Sequence, residues 1–170
     1  MNKRIIVCII FLLVAGSSSL SAEEYKQNYF WTNLGFGSTN VPGEHLHLIA
    51  MNLELTKQLG YNYISLRGIF FGRAFSEGGF DKGTEIGLLY GREFIRQSNT
   101  SSSFYFSAAI GVSVTRMRVD YDMVNTIGLP IEAKAVFRVS KKTGIGLYHY
   151  WNINAQQTYY GTHISLFYRK

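Results

Sequence analysis

Two short stretches near the C-terminus carry the side chains best suited to chemistry. His149 to Asn152 offers an imidazole and an amide, and Thr162 to Ser165 offers two hydroxyls and a second imidazole. A serine-type hydrolase needs a hydroxyl that a base activates, and a third group that orients the base. Trp151 is the alternate neighbour of His149 along an extended chain, so the sequence predicts no nucleophile beside this imidazole and no carboxylate to hold it.

The sequence gives less support for a metal or cofactor site. His45 and His47 would project from one side of a strand, a spacing that suits two metal ligands, but no third ligand lies nearby in the sequence. No glycine-rich phosphate loop and no metalloprotease motif is present. We therefore expect no metal and no cofactor.

Charged residues recur at alternate positions inside otherwise apolar segments. Four are acidic and three are basic: Glu54, Glu85, Glu93, Glu132, Arg67, Lys134 and Arg138. A single buried charge is costly, so we expect these residues to form ion pairs within an enclosed interior. The functional alternative is a path for protons or ions along the same groups.

The elements that position these residues are short segments of alternating character. Phe104, Phe106 and Ala108 share one parity, whereas Tyr105 and Ser107 share the other, and successive side chains of a strand point to opposite faces. The pattern predicts eight strands, separated by turn residues, at about 29–39, 46–57, 61–73, 84–95, 103–116, 127–139, 144–154 and 159–169. Eight such strands without helices between them predict an all-β, antiparallel, up-and-down closed barrel.

The two walls of this barrel differ in composition. One parity is apolar along its middle, while the other collects the seven charges and most strand glycines. A soluble, lipocalin-like barrel would turn the apolar wall inward. We favour the membrane arrangement, because a crowded, ion-paired lumen suits the charged and glycine-rich wall. Aromatic residues near the strand ends suggest interfacial girdles: Tyr61, Tyr63, Phe94, Phe104, Tyr160 and Tyr168.

Residues 1–22 have the layout of a secretory signal peptide, with Lys3 and Arg4 before an apolar run and small residues up to Ala22. Cleavage there would leave one domain, 23–170, of 148 residues without cysteine and with a net charge of +4. The scattered basic residues and the export signal argue against nucleic-acid binding.

With the N-terminus in the periplasm, the outer loops would be about 40–45, 74–83, 117–126 and 155–158, of which only the second and third have room to recognise a ligand. Four basic residues lie near these loops, and we expect them to contact anionic head groups: Arg73, Lys82, Arg116 and Arg118.

The leader, the eight alternating strands and the polar lumen resemble the small eight-stranded outer-membrane barrels of the OmpA/OmpX type over the whole mature length. Many such proteins end on an aromatic residue that the assembly machinery reads. Here Phe167 and Tyr168 are followed by Arg169 and Lys170. The resemblance implies an outer-membrane location in a Gram-negative cell.

A second, local resemblance covers residues 144–169. It is to the lipid A 3-O-deacylases, eight-stranded outer-membrane barrels with His-x-Ser-Asn on strand seven and a Glu on strand eight. Their His and Asn would fall on His149 and Asn152, whereas the nucleophile position holds Trp151 and the Glu position holds Thr162.

From these observations we expect a non-enzymatic outer-membrane barrel with a structural or surface-binding role, monomeric or weakly associated. Its partners would be outer-membrane lipids, lipopolysaccharide and the barrel-assembly machinery. A deacylase-like hydrolase, or an inactive relative of one, is the first alternative, and a narrow, porin-like pore is the second.

Overall fold

The protein is an eight-stranded closed antiparallel β-barrel, in which each strand pairs with its neighbours in the sequence and β1 pairs with β8. The computed structural model describes residues 28–43, 48–73, 82–98, 103–119 and 122–170. The strands are β1 Asn28–Asn40, β2 Leu48–Leu59, β3 Asn62–Gly72, β4 Gly83–Ser98, β5 Ser103–Val119, β6 Asp122–Arg138, β7 Thr143–Asn154 and β8 Tyr159–Arg169. The predicted fold is confirmed. Within these described ranges, no helix is long and apolar enough to cross a membrane.

The strands are strongly tilted. A path that starts at Phe30 and crosses each strand pair in turn comes back to β1 at Asn40, ten residues further along the chain. In an eight-stranded barrel a stagger of this size corresponds to a tilt of about 40°. Strands of about eleven residues then span about 28 Å of height, close to the apolar band of about 25 Å in outer-membrane barrels.

The two ends of the barrel differ in their connections. Short turns join β2 to β3 and β6 to β7 at the end that also holds both ends of the barrel sequence; Gly60 enables the first turn with a positive φ of 66°. We call this end the terminal rim. The opposite end, the loop rim, holds the longer connections 41–47 and 73–82.

The predicted outer loop at 117–126 is wrong. Met117 pairs with Val124, and Val119 pairs with Asp122, so β5 and β6 continue as a hairpin through most of this range. Partly buried Val119 and Val124 pack against the apolar cluster at the loop rim, which explains why strand pairing persists there. Only residues 120–121 of this range lie outside the described residues.

The apolar wall faces outward. Val112, Ile127 and Ile164 are 62%, 76% and 67% exposed, whereas six of the seven charged residues predicted for the lumen are buried. This arrangement is the reverse of a soluble lipocalin-like barrel, and it gives the fold of a transmembrane β-barrel.

The lumen holds more large side chains than the sequence suggested. Tyr63 was predicted in an interfacial girdle, but it is fully buried inside the barrel, as are Tyr148, Tyr150 and Tyr159. Glycines make room for these rings: a Cβ on Gly161 would lie 2.7 Å from the Tyr150 ring. Part of the glycine-rich wall therefore packs against aromatic rings of the lumen.

Candidate functional site

The lumen contains a network of five buried charged residues. Arg67 forms ion pairs with Glu85 and, at 3.2 Å, with Glu132. Lys134 lies 2.5 Å from carboxylate oxygens of both Glu54 and Glu132. All five side chains are fully enclosed, so the three carboxylates depend on two cations for compensation of their charge.

Aromatic side chains complete this network. The Arg67 guanidinium donates a hydrogen bond to the Tyr148 hydroxyl at 2.7 Å, and that hydroxyl donates to Glu132 at 3.0 Å. The Tyr159 hydroxyl donates to Glu85. Lys134 Nζ lies 5.1 Å from the centroid of the Trp31 ring, within the range of a cation–π contact. The sequence interpretation did not include these tyrosines, although Tyr148 has the parity of the luminal wall.

The other two residues of the predicted ion-pair set lie apart from these five. The Arg138 guanidinium donates to the Tyr29 hydroxyl at 2.9 Å, and it lies 5.4 Å from the centroid of the Tyr105 ring, near the terminal rim. Glu93 is buried on β4 close to the same end of the barrel. The seven predicted residues therefore do not form a single chain of contacts through the lumen.

A second polar layer lies around His163. Its Nδ1 is 2.9 Å from Asn52 Oδ1, whereas its Nε2 has no hydrogen-bond partner among the described residues. Asn52 Nδ2 and Ser165 Oγ are also buried without a partner in the described part of the chain. Because His163 and Ser165 are fully enclosed, neither can reach an acyl chain outside the barrel.

His149 and Asn152 lie on opposite walls of β7. His149 is on the outer wall, where its Nδ1 is 2.6 Å from Thr162 Oγ1 on β8 and its ring packs edge-on against Trp151 at 4.2 Å. Asn152 points into the lumen and donates to Ser113 Oγ at 2.7 Å. Cross-strand pairing brings the Thr162 hydroxyl to His149, a contact that the sequence analysis did not predict. No carboxylate hydrogen-bonds to His149 within the described ranges.

The four predicted head-group residues gather on one side of the loop rim. Arg73 directly follows β3, Lys82 directly precedes β4, and Arg116 and Arg118 are exposed near the end of β5. The Arg118 backbone N–H donates to the Lys82 carbonyl at 2.8 Å, which joins two of these positions. The described acidic residue closest in sequence to them is Glu85, three positions after Lys82, and it is buried in the lumen.

Metal binding has no support in the described ranges. No group of three or more His, Asp or Glu side chains is placed there to hold an ion. His45 and His47 lie outside the described residues.

Comparison with known proteins gives a fold and not a family. No family model matches the sequence, and no curated protein matches it at a significant level. The chain is similar to the solved structure of Neisserial surface protein A (TM-score 0.58, 8% identity, 86% of this chain and 99% of that one). It is also similar to the N-terminal barrel of Pseudomonas aeruginosa OprF (TM-score 0.60, 9% identity, 85% of this chain and 100% of that one). A third similar structure is Yersinia pestis Ail, the attachment invasion locus protein, in complex with the heparin analogue sucrose octasulfate (TM-score 0.54, 13% identity, 85% of this chain and 99% of that one).

Proposed function

We propose that this protein is a small outer-membrane β-barrel with a structural role, which contacts anionic head groups through its loop rim. The observation that carries the proposal is the orientation of the two walls: an exposed apolar belt surrounds a lumen that is packed with paired charges and tyrosines. Such a belt is stable in lipid, where a closed barrel satisfies every backbone hydrogen bond internally. The similar solved structures, which include outer-membrane barrels, support the location.

The remaining features of the proposal follow from this location. Residues 1–22 would be removed on export, the barrel-assembly machinery would insert the chain, and the barrel would act as a monomer. The terminal rim would face the periplasm, because outer-membrane barrels keep short turns on that side and longer loops outside.

The four basic residues of the loop rim supply the surface contact. Arg116 and Arg118 project from the outer wall just beyond the apolar residues Val112 and Val114, at the height where head groups begin. Guanidinium groups bind phosphate in a bidentate manner, and lipopolysaccharide carries phosphates at this depth. The complex of Ail with a sulfated heparin analogue offers a parallel for polyanion binding by a barrel of this size.

Neutralising this cluster tests the contact. Glutamine at Arg73, Lys82, Arg116 and Arg118 should weaken lipopolysaccharide binding to the purified barrel in detergent. A matched control replaces four basic residues of the terminal rim with glutamine: Lys57, Arg92, Lys141 and Lys142. Equal binding by the two variants would rule out the loop rim as the contact.

The contact between His149 and Thr162 supports a second candidate, a deacylase-like hydrolase. It places a hydroxyl against an imidazole on the lipid-facing wall, the pairing that nucleophilic catalysis requires. An active enzyme would make lipid A of expressing cells lighter by one acyl chain, and both His149→Ala and Thr162→Val would abolish the change. Unchanged lipid A would leave the structural role.

A further inference from the structure

The terminal rim is rich in basic residues. The side chains of seven are described at this end: Lys57, Arg92, Arg138, Lys141, Lys142, Arg169 and Lys170. Glu93, which is buried, is the single acidic residue among the described side chains of this rim. This end of the barrel therefore presents a strongly positive surface, distinct from the basic cluster at the loop rim.

An apolar groove opens in the outer wall at the same rim. Its volume is about 430 Å³, and it extends from Val139 and Thr143, beside the β6–β7 turn, to Leu166, Leu34 and Leu53 on β8, β1 and β2. The exposed ring of Tyr168 also lines it. Because this wall faces lipid, the groove matches the chain of a lipid better than any part of a water-soluble ligand.

The β6–β7 turn holds two lysines next to this groove. Ser140 Oγ accepts hydrogen bonds from the backbone N–H groups of Lys142 and Thr143, at 3.1 and 3.0 Å, and so fixes the turn. The Arg169 backbone N–H donates to the Lys142 carbonyl at 2.7 Å, which ties the turn to β8. Lys141 and Lys142 remain exposed, so their charges are available at head-group height.

We propose that this surface binds an anionic phospholipid from the leaflet at the terminal rim. One acyl chain lies in the groove, and the ammonium groups of Lys141 and Lys142 contact the head-group phosphate. Another lysine of this rim, Lys57, is also exposed, and its Nζ lies 5.7 Å from the centroid of the Phe30 ring. The site needs only that the barrel lies in a membrane, and it is independent of lipopolysaccharide binding at the loop rim.

Native mass spectrometry can test this site. The barrel is prepared in detergent micelles that contain phosphatidylglycerol and phosphatidylcholine with identical acyl chains, and the retained lipids are counted. Each basic residue near an anionic surface contributes about fivefold to binding, so Lys141→Gln with Lys142→Gln should lower the preference for phosphatidylglycerol roughly 25-fold. The control, Lys57→Gln with Arg92→Gln, removes the same charge at the same rim but away from the β6–β7 turn, and it should leave the preference nearly intact.

A second variant tests the groove itself. Thr32→Trp fills the groove while every charge remains, and it should reduce the number of retained phosphatidylglycerol molecules; Val112→Trp, on the far side of the lipid-facing wall, should not. Heat-modifiable gel mobility verifies that each variant is a closed barrel. Absence of this mobility in the native protein would refute the membrane barrel. In a closed barrel, equal binding of both lipids by the native protein would overturn the proposed site. Phosphatidylglycerol retention by the lysine or Thr32 variants equal to that of the native protein would overturn it as well. Neither result would affect the membrane barrel.

Discussion

Removal of Arg67 should strongly destabilise the barrel. This side chain is fully buried, and it holds two carboxylates and the Tyr148 hydroxyl. In Arg67→Met, Glu132 keeps Lys134 as a partner, but Glu85 keeps only the Tyr159 hydroxyl and loses its cation. Removal of one partner of a buried ion pair costs about 3–5 kcal/mol, and we expect the free energy of unfolding to fall by that amount.

A second substitution identifies the cause. Glu85→Gln in the Arg67→Met background removes the carboxylate left without a cation, and it should restore at least about 1 kcal/mol. Urea unfolding in lipid vesicles, followed by tryptophan fluorescence, measures each value. Lys57→Met, an exposed control, should change stability by no more than about 0.5 kcal/mol. The reasoning fails if Arg67→Met costs less than about 1 kcal/mol, or if the double variant is less stable than the single one.

Three further predictions concern the walls and the lumen. Gly111→Ala should destabilise the barrel by about 1–3 kcal/mol in the same urea assay, because its new methyl group would lie 2.7 Å from Leu89 Cα. The control, Gly68→Ala, should be tolerated, because its methyl group would meet nothing nearer than 3.7 Å. Val112→Arg should cost about 2–4 kcal/mol in vesicles, and Asn125→Arg, near the loop rim, about 0–1 kcal/mol; equal costs would contradict the placement of the apolar belt. The native barrel should show no steady single-channel conductance in planar bilayers, because paired charges and rings fill its lumen, and open-channel steps would favour the pore.

The alternation of side chains was enough to predict the walls and the number of strands, since a strand fixes which residues share a face. Partners across the lumen were beyond the sequence. Arg67 and Glu132 lie 65 residues apart, and only the register of all intervening strands brings them together. The same limit applies to His149 and Thr162, which meet through the register of β7 and β8.

The sequence contained signals for two features that we predicted wrongly, the position of Tyr63 and the structure of residues 117–126. Tyr63 shares parity with Arg67, a signal for the lumen that its position near a strand end obscured. The charged and polar residues at 117–126 are typical of a loop. However, Val119 and Val124 are an apolar pair, and their packing favours continued strand pairing.

The orientation of the two walls in lipid is the central claim, and spin-label accessibility tests it most directly. Cys8 is the only cysteine, so a label placed at Val112→Cys or Arg118→Cys in a Cys8→Ser background is unique. In vesicles, the label at position 112 should collide with oxygen and be shielded from an aqueous nickel chelate, while the label at position 118 should show the opposite. Free access of the nickel chelate to position 112 would contradict the membrane barrel.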